Sequence, residues 1–167
     1  TFSEATEVMG NSYPDVTELL HRLGSKQVRN QGTWVASIAN ASPIGDIAPL
    51  ALVLDAILSV TSTSGNRDIH IEDFFQGYKV TSLQPGEVIT GISFSKLSPD
   101  EHLKVYKVSK RIEDDISAVM VAIKYQLQGD EIVDAKIAYG GMAATPKRAK
   151  TLENRLLNKS VKGVSKK

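Results

Sequence analysis

The segment Thr33–Asp46 (TWVASIANASPIGD) gathers the side chains with the greatest chemical potential in this chain. Small residues let a ligand approach the backbone, and Thr33, Ser37, Asn40 and Ser42 offer hydrogen-bonding groups suited to phosphate or sugar oxygens. The segment ends at Asp46, immediately before an apolar run. A helix N-terminus favours anions, so a carboxylate there repels one unless it meets a hydroxyl instead. From these residues alone the segment reads as a ligand loop or as an elaborate turn.

Other chemistry-bearing positions are sparser. Glu113-Asp114-Asp115, flanked by Lys110-Arg111, is a run of acids. Paired carboxylates can do acid–base work, and a solvated turn between strands has the same composition, which is the reading adopted. Lys107 lies on the strand face of Leu103 and Val105 and aims a cation at a side that should be buried. Ile89 stands with Gly91 and Ser93 on what alternation makes a polar face. A strand twisting out to solvent explains either break. His21, His70 and His102 lack metal-ligand spacing. No GxSxG, P-loop or Rossmann GxGxxG occurs. With no cysteine, the chain itself offers no disulfide, thiol nucleophile or iron–sulfur ligand.

Several elements must position these groups. Val16, Leu19, Leu20 and Leu23 form one helical stripe, so Pro14–Leu23 is expected to be a helix, with a Ser12/Asp15 capping box and Gly24 as its stop. Gln27–Ile38 is too polar for a core strand. Asp46 caps a second helix whose Ile47, Leu50, Ala51 and Leu54 stripe is joined by Ala48, Leu52 and Val53, which makes it a buried helix. Strands are expected at 58–63, 88–95, 102–109, 118–127 and 132–139, the last two as a hairpin across Gln128–Glu131. A final helix is expected from Thr145-Pro146, with Ala149, Leu152 and Leu156 inward. Strands followed by a helix on one face read as α+β.

The 167 residues carry 20 Lys/Arg against 19 Asp/Glu. Residues 147–167 are basic, and they are read as a solvated, fraying end and not as a nucleic-acid site, because aromatics are not interleaved. No apolar run reaches the roughly 20 residues of a membrane span, and the start is no signal peptide. A reducing cytoplasm fits the lack of cysteine. The missing initiator Met hints at a piece of a longer chain.

QVRNQGT at Gln27–Thr33, IANASPIGD at Ile38–Asp46, KRIEDDISAV at Lys110–Val119 and AYGGMAATPKRA at Ala138–Ala149 occur in that order. Together they closely resemble the FAD subunit or domain of the xanthine dehydrogenase (molybdenum hydroxylase) family, to which carbon monoxide dehydrogenase is related. The resemblance implies a second FAD-binding subdomain over residues 1–66, then a C-terminal antiparallel sheet packed on helices over 67–167. It implies FAD as cofactor, with molybdopterin and 2Fe-2S clusters on partner domains or subunits and NAD as electron acceptor. No membrane or nucleic-acid partner is implied, and the setting is cytoplasmic.

By the same resemblance, Thr33, Trp34, Val35, Ala36 and Ser37 match positions that wrap the FAD diphosphate. Asn40 and Ser42 match polar neighbours of the cofactor, and Asp46 an acid at its sugar–adenine portion. Ile89 and Lys107 match positions flanking the flavin, and Leu23 a position often aromatic in relatives. Arg111, Glu113 and Asp114 match a charged segment near the isoalloxazine and its NAD entrance. One departure stands out: relatives carry Gly-Gly-Asn where this chain has Val35-Ala36-Ser37, and each added Cβ intrudes on a phosphate cradle. The family's first subdomain, with its Gly-rich diphosphate loop, has no counterpart here. A fragment with weak or no FAD binding of its own is therefore expected, and the alternative is a degenerate docking or structural subunit.

Overall fold

The computed structural model describes residues 1–10, 12–112 and 114–164. Helix α1 (Phe2–Met9) begins with a capping box in which Glu4 N–H donates to Thr1 Oγ1 and the Glu4 carboxylate accepts from the Thr1 amine. It packs on α2 (Pro14–His21) and α3 (Lys26–Gln31). The expected helix at Pro14 is present, with Val16, Leu19 and Leu20 buried and Gly24 at φ +57° just beyond it. Its expected capping box is not. Tyr13 occupies the cap position without a side-chain bond, and Asp15 instead accepts from Val105 N–H and Lys104 Nζ. That carboxylate serves the edge of a distant strand, a use that local spacing cannot reveal.

The polar stretch after residue 25 folds as α3 and α4 (Trp34–Ala39), each started by a hydroxyl cap, Ser25 on Val28 N–H and Thr33 on Ala36 N–H. Helix α5 (Ile47–Val53) is buried at every position, Pro49 included. It lies against strands whose facing residues are small or flexible, Met120, Ala122 and Ala138, all at 0% exposure. Burying Ile47, Leu50, Leu52, Val53 and Leu54 contributes on the order of 10 kcal/mol at about 2 kcal/mol each.

Strand β1 (Ile57–Ser62) turns into β2 (Gly65–His70), which leads through a 3-10 turn (Ile71–Asp73) to the short pair β3 (Phe75–Gly77) and β4 (Val80–Thr81). Strand β5 (Val88–Ser93) returns to the other side of β1, giving a sheet of order β2-β1-β5. These pairings join strands on both sides of residue 66. The register of β1 on β5 shifts between Ser59 and Val60, which pair with Gly91 and Ile89 and leave Thr90 as the extra residue of a bulge. The bulge changes which side faces the core: Ile89 and Ile92 both pack on it, and Val88 is exposed. Ile89 is therefore a core-facing residue and not an apolar residue stranded on a polar face.

The second sheet runs β6 (Glu101–Val108), β7 (Val119–Gln128), β8 (Glu131–Gly140), β9 (Lys147–Arg148), all antiparallel. The expected hairpin is present, closed by Gly129 at φ +63°. The last helix departs from expectation. Thr145-Pro146 lies in a loop, Lys147–Arg148 pairs with β8, and α6 covers only Lys150–Leu156. Leu152 is exposed, and the buried residue is Glu153, whose Oε1 accepts from the β8 amide of Ile137 at 2.7 Å and from Arg148. A charged residue is inside here because it satisfies a strand edge. A four-residue helix, α7 (Val161–Val164), follows. One apolar cluster unites residues of both sheets with α1, α2, α4 and α5. No helix among the described residues is long and apolar enough to cross a membrane.

Candidate functional site

Lys107 is the centre of the site. It points inward from β6 beside Leu103 and Val105, as its position in the strand requires, and its side chain is only 3% exposed. A buried ammonium survives only with acceptors, and it has them. Its Nζ donates to Asp46 Oδ2 at 2.7 Å and to Ser117 Oγ at 2.8 Å, while Ser117 Oγ–H donates to Asp46 Oδ1 at 2.5 Å. Asp46 therefore does not cap α5: its backbone stands at the cap position, but the carboxylate turns to β6 and β7. The break in the β6 pattern is a buried ion pair and not a twist toward solvent. Ser117 was not identifiable as part of this group. The available signal was the inward Lys107, which demanded acceptors without saying which.

Three chain segments meet at this point. Ala41 takes a left-handed φ of 46° and reverses the chain after α4, bringing Ser42 and Asp46 back beside Ser37 and Asn40. Gly141 N–H donates to Pro43 O at 2.8 Å, and a Cβ on Gly141 would stand 2.4 Å from Ala118 O. The Gly140-Gly141 pair thus lets the end of β8 pass between the 38–46 loop and the 110–119 segment.

The resulting cavity, about 340 Å³, is lined by Leu23, Ser37, Asn40, Ser42, Asp46 and Lys107, and by Asp114 and Asp115 on its outer wall. Eight of the residues singled out by sequence are thereby in one place. Arg111 N–H and then its guanidinium hold the Asp115 carboxyl below the usual range against opposing desolvation. Acids outnumber bases in this lining, so it favours hydroxyl-bearing groups over phosphate. Arg111 itself is exposed and paired with Asp115, and Glu113 lies outside the described residues.

The remaining expected residues lie elsewhere. Thr33, Trp34 and Val35, at the opposite end of α4, line a separate groove of about 420 Å³ with α1 and β5. Ala36 is exposed and Ile89 faces the core. Val35 and Ala36 sit inside α4, and neither has a positive φ. The helix accepts side chains there without backbone strain. Asp46 and Lys107 touch, so they cannot serve opposite ends of an extended cofactor. A third cavity, about 900 Å³ around Ala143–Arg155, is basic and contains none of the expected residues.

An α+β chain with this order of helices and antiparallel sheets matches chains of solved dehydrogenases and oxidoreductases. Carbon monoxide dehydrogenase from Hydrogenophaga pseudoflava superposes with a TM-score of 0.87 at 24% identity, covering 93% of this chain and 54% of that one. Quinoline 2-oxidoreductase from Pseudomonas putida 86 gives 0.82 at 27% identity, over 92% of this chain and 53% of that one. Residues 1–96 match the family described as "FAD binding domain in molybdopterin dehydrogenase", and residues 104–164 match "CO dehydrogenase flavoprotein C-terminal domain". The chain belongs to the FAD-binding domain family of molybdopterin dehydrogenases. Among curated relatives, the glyceraldehyde dehydrogenase medium chain of Sulfolobus acidocaldarius is 33% identical over 94% of this chain and 55% of its own length. Xanthine dehydrogenase of Blastobotrys adeninivorans is 37% identical over 83% of this chain and 10% of its own length. The chain thus spans at most about half the length of these relatives.

The side chains present fit FAD on two counts. Lys107 uses two of its three N–H donors on Asp46 and Ser117, and the Asp46 oxygens retain lone pairs, so the buried pair keeps capacity for a sugar hydroxyl. Trp34 Nε1, in the other groove, is buried with no hydrogen-bond partner.

Proposed function

We propose that this chain holds FAD within a molybdenum-hydroxylase-type oxidoreductase, and that the Asp46–Lys107–Ser117 cavity receives a hydroxyl-bearing portion of the cofactor. The observation that carries the reading is the convergence of two family-resembling segments, 38–46 and 110–119, on that cavity, with Gly141 of a third, 138–149, bonded to the loop through Pro43 O. FAD, when bound, supplies the redox chemistry, accepting and passing on electrons. The chain's part is to bind and orient it. Asn40 and Ser42 present polar groups from the loop, and Lys107 offers its remaining N–H. Asp46 accepts from hydroxyls, while Leu23 and Ile44 shield the pocket from water. The Thr33–Ser37 segment lies along the path between the two grooves, consistent with the diphosphate assignment that the resemblance makes.

In the finer reading, electrons arrive from 2Fe-2S clusters on partner domains or subunits that also carry molybdopterin, and leave through FAD to NAD in the cytoplasm. Formation of NADH by the assembled enzyme tests the acceptor; turnover with oxygen and no NADH removes NAD from the account and leaves the flavin role untouched. The binding role is tested by titrating FAD into the chain and following flavin fluorescence. Replacing Asn40 and Ser42 together by Ala should weaken FAD about thirtyfold, since each lost hydrogen bond is worth roughly 1 kcal/mol. Equal affinities for the two chains would contradict the assignment. No binding by either would favour the docking-subunit alternative.

A further inference from the structure

We infer that the cleft of about 900 Å³ between β3 and α6 is a second binding site, separate from the cavity at Lys107, for a small organic anion whose apolar body carries a carboxylate or a phosphate. The cleft is within the size range of small-ligand pockets. Its floor is apolar: Leu52 from α5, Phe75 from β3 and Pro146 from the loop before β9. The fully buried Phe74 supports the half-buried Phe75, with 5.2 Å between ring centroids and 84° between planes. Part of an aromatic ring therefore stays open to the cleft.

Charge sets the other half of the ligand. Lys147, Arg148, Lys150 and Arg155 line the cleft against one carboxylate, Glu72. Arg148 is committed to protein partners, donating to Glu72 and to both oxygens of Glu153. The second Glu72 oxygen accepts from Lys150, so both Glu72 oxygens are taken. Lys147 and Arg155 find no carboxylate among the described residues, and both are exposed. A cleft lined by an excess of one sign of charge concentrates ions of the other. An inorganic anion would answer the cations and leave the apolar floor wet, and a neutral body would cover the floor and leave the cations unanswered. An amphipathic anion does both.

The site is separate from the cavity proposed for FAD and lies at the other end of the same helix. Asp46, just before α5, lines the Lys107 cavity, whereas Leu52, near the α5 C-terminus, lines the cleft. At 1.5 Å per residue the two positions are roughly 9 Å apart along the helix axis. The cleft walls come from both matched families, with Leu52, Glu72 and Phe75 in the first and residues 143–155 in the second. An occupant therefore touches both parts of the chain at once.

The test follows backbone amides of residues 147–155 in the nitrogen–proton spectrum of the full chain during separate titrations with naphthyl phosphate, naphthoate, naphthol and inorganic phosphate. The expected result is a saturable shift with naphthyl phosphate or naphthoate, and binding of naphthol and of inorganic phosphate weaker by about tenfold or more. Whichever naphthyl anion binds more tightly identifies the head group. The double variant Lys147→Gln with Arg155→Gln, which breaks no ion pair among the described residues, should lose about tenfold in affinity for that anion. Equal binding of inorganic phosphate, or no shift at millimolar naphthyl anion, overturns the site from the wild-type chain alone. Unchanged affinity in the double variant overturns it as well. Displacement of the naphthyl anion by FAD would make the cleft part of the cofactor's site and overturn its separateness. If FAD does not bind the chain at all, the flavin reading falls, and the naphthyl titrations still decide the cleft.

Discussion

Lys107, Asp46 and Ser117 form a buried set in which each side chain finds a partner and Lys107 keeps one N–H free. Removing one partner of such a pair leaves a buried charge uncompensated, whereas replacing both by apolar groups removes the problem. Lys107→Ala should therefore cost roughly 3–5 kcal/mol in urea unfolding, and the double variant Asp46→Leu with Lys107→Met should recover more than half of that loss. Equal losses in the single and double variants would show that the pair is not what Lys107 contributes. At this scale the sequence was informative in part. The inward orientation of Lys107 follows from strand alternation with Leu103 and Val105. Ser117 acquires meaning only once β6 and β7 are paired, and the placement of Ile89 depends on a bulge at Thr90 that no local pattern announces.

The elements that hold these residues differ in how visibly they are encoded. Helix α5 was legible because its apolar residues recur around the whole helix and it is buried all round. Helix α4, six residues long, was not: too few turns exist for a period to emerge, and its start is marked only by Thr33. Helix α6 begins later than Pro146 implied because Lys147–Arg148 is drawn into the sheet edge. The glycines of the β8 end make a testable distinction. Gly141 has φ +86° and would place a Cβ 2.4 Å from a backbone carbonyl, whereas Gly129 has φ +63° in open space. Gly129→Ala should cost about 1 kcal/mol, the left-handed penalty alone, and Gly141→Ala roughly 3 kcal/mol or more. Chemical denaturation of the two variants measures the contrast; similar costs would mean that the 38–46 loop and the Ala118 segment before β7 are not clamped through Gly141.

Across the whole molecule, the first and second family segments are joined by a common core and by charges. Arg148 pairs with Glu72 at 2.6 Å and Glu153 at 2.7 Å, and Lys150 with Glu72 at 3.1 Å. Desolvation pushes the Glu72 carboxyl up, but hydrogen bonds from Lys150 and Arg148 outweigh it and leave its pKa lowered. Glu87 is held down to about 2, chiefly by Arg67, and Glu101 is lowered chiefly by Lys124. Carboxyls depressed in the folded state stabilise it above their unfolded pKa near 4.5, and that contribution disappears as pH falls through the folded values. The urea midpoint should therefore fall as pH drops from about 4.5 toward 2, and Glu87→Gln should flatten part of that fall; a midpoint that rises on acidification would contradict these pairings.

The α+β class, the buried helix and the hairpin were readable from periodicity, and the family from four ordered motifs. The division of the expected site residues between two grooves was not, because it depends on where α4 turns back on itself. The most direct test of the central claim is a chemical-shift map of the 18.1 kDa chain during FAD titration. The account predicts that the largest changes fall on backbone amides of residues 33–46 and 114–118. Changes concentrated around the basic cavity at 143–155, or none at millimolar FAD, would contradict it.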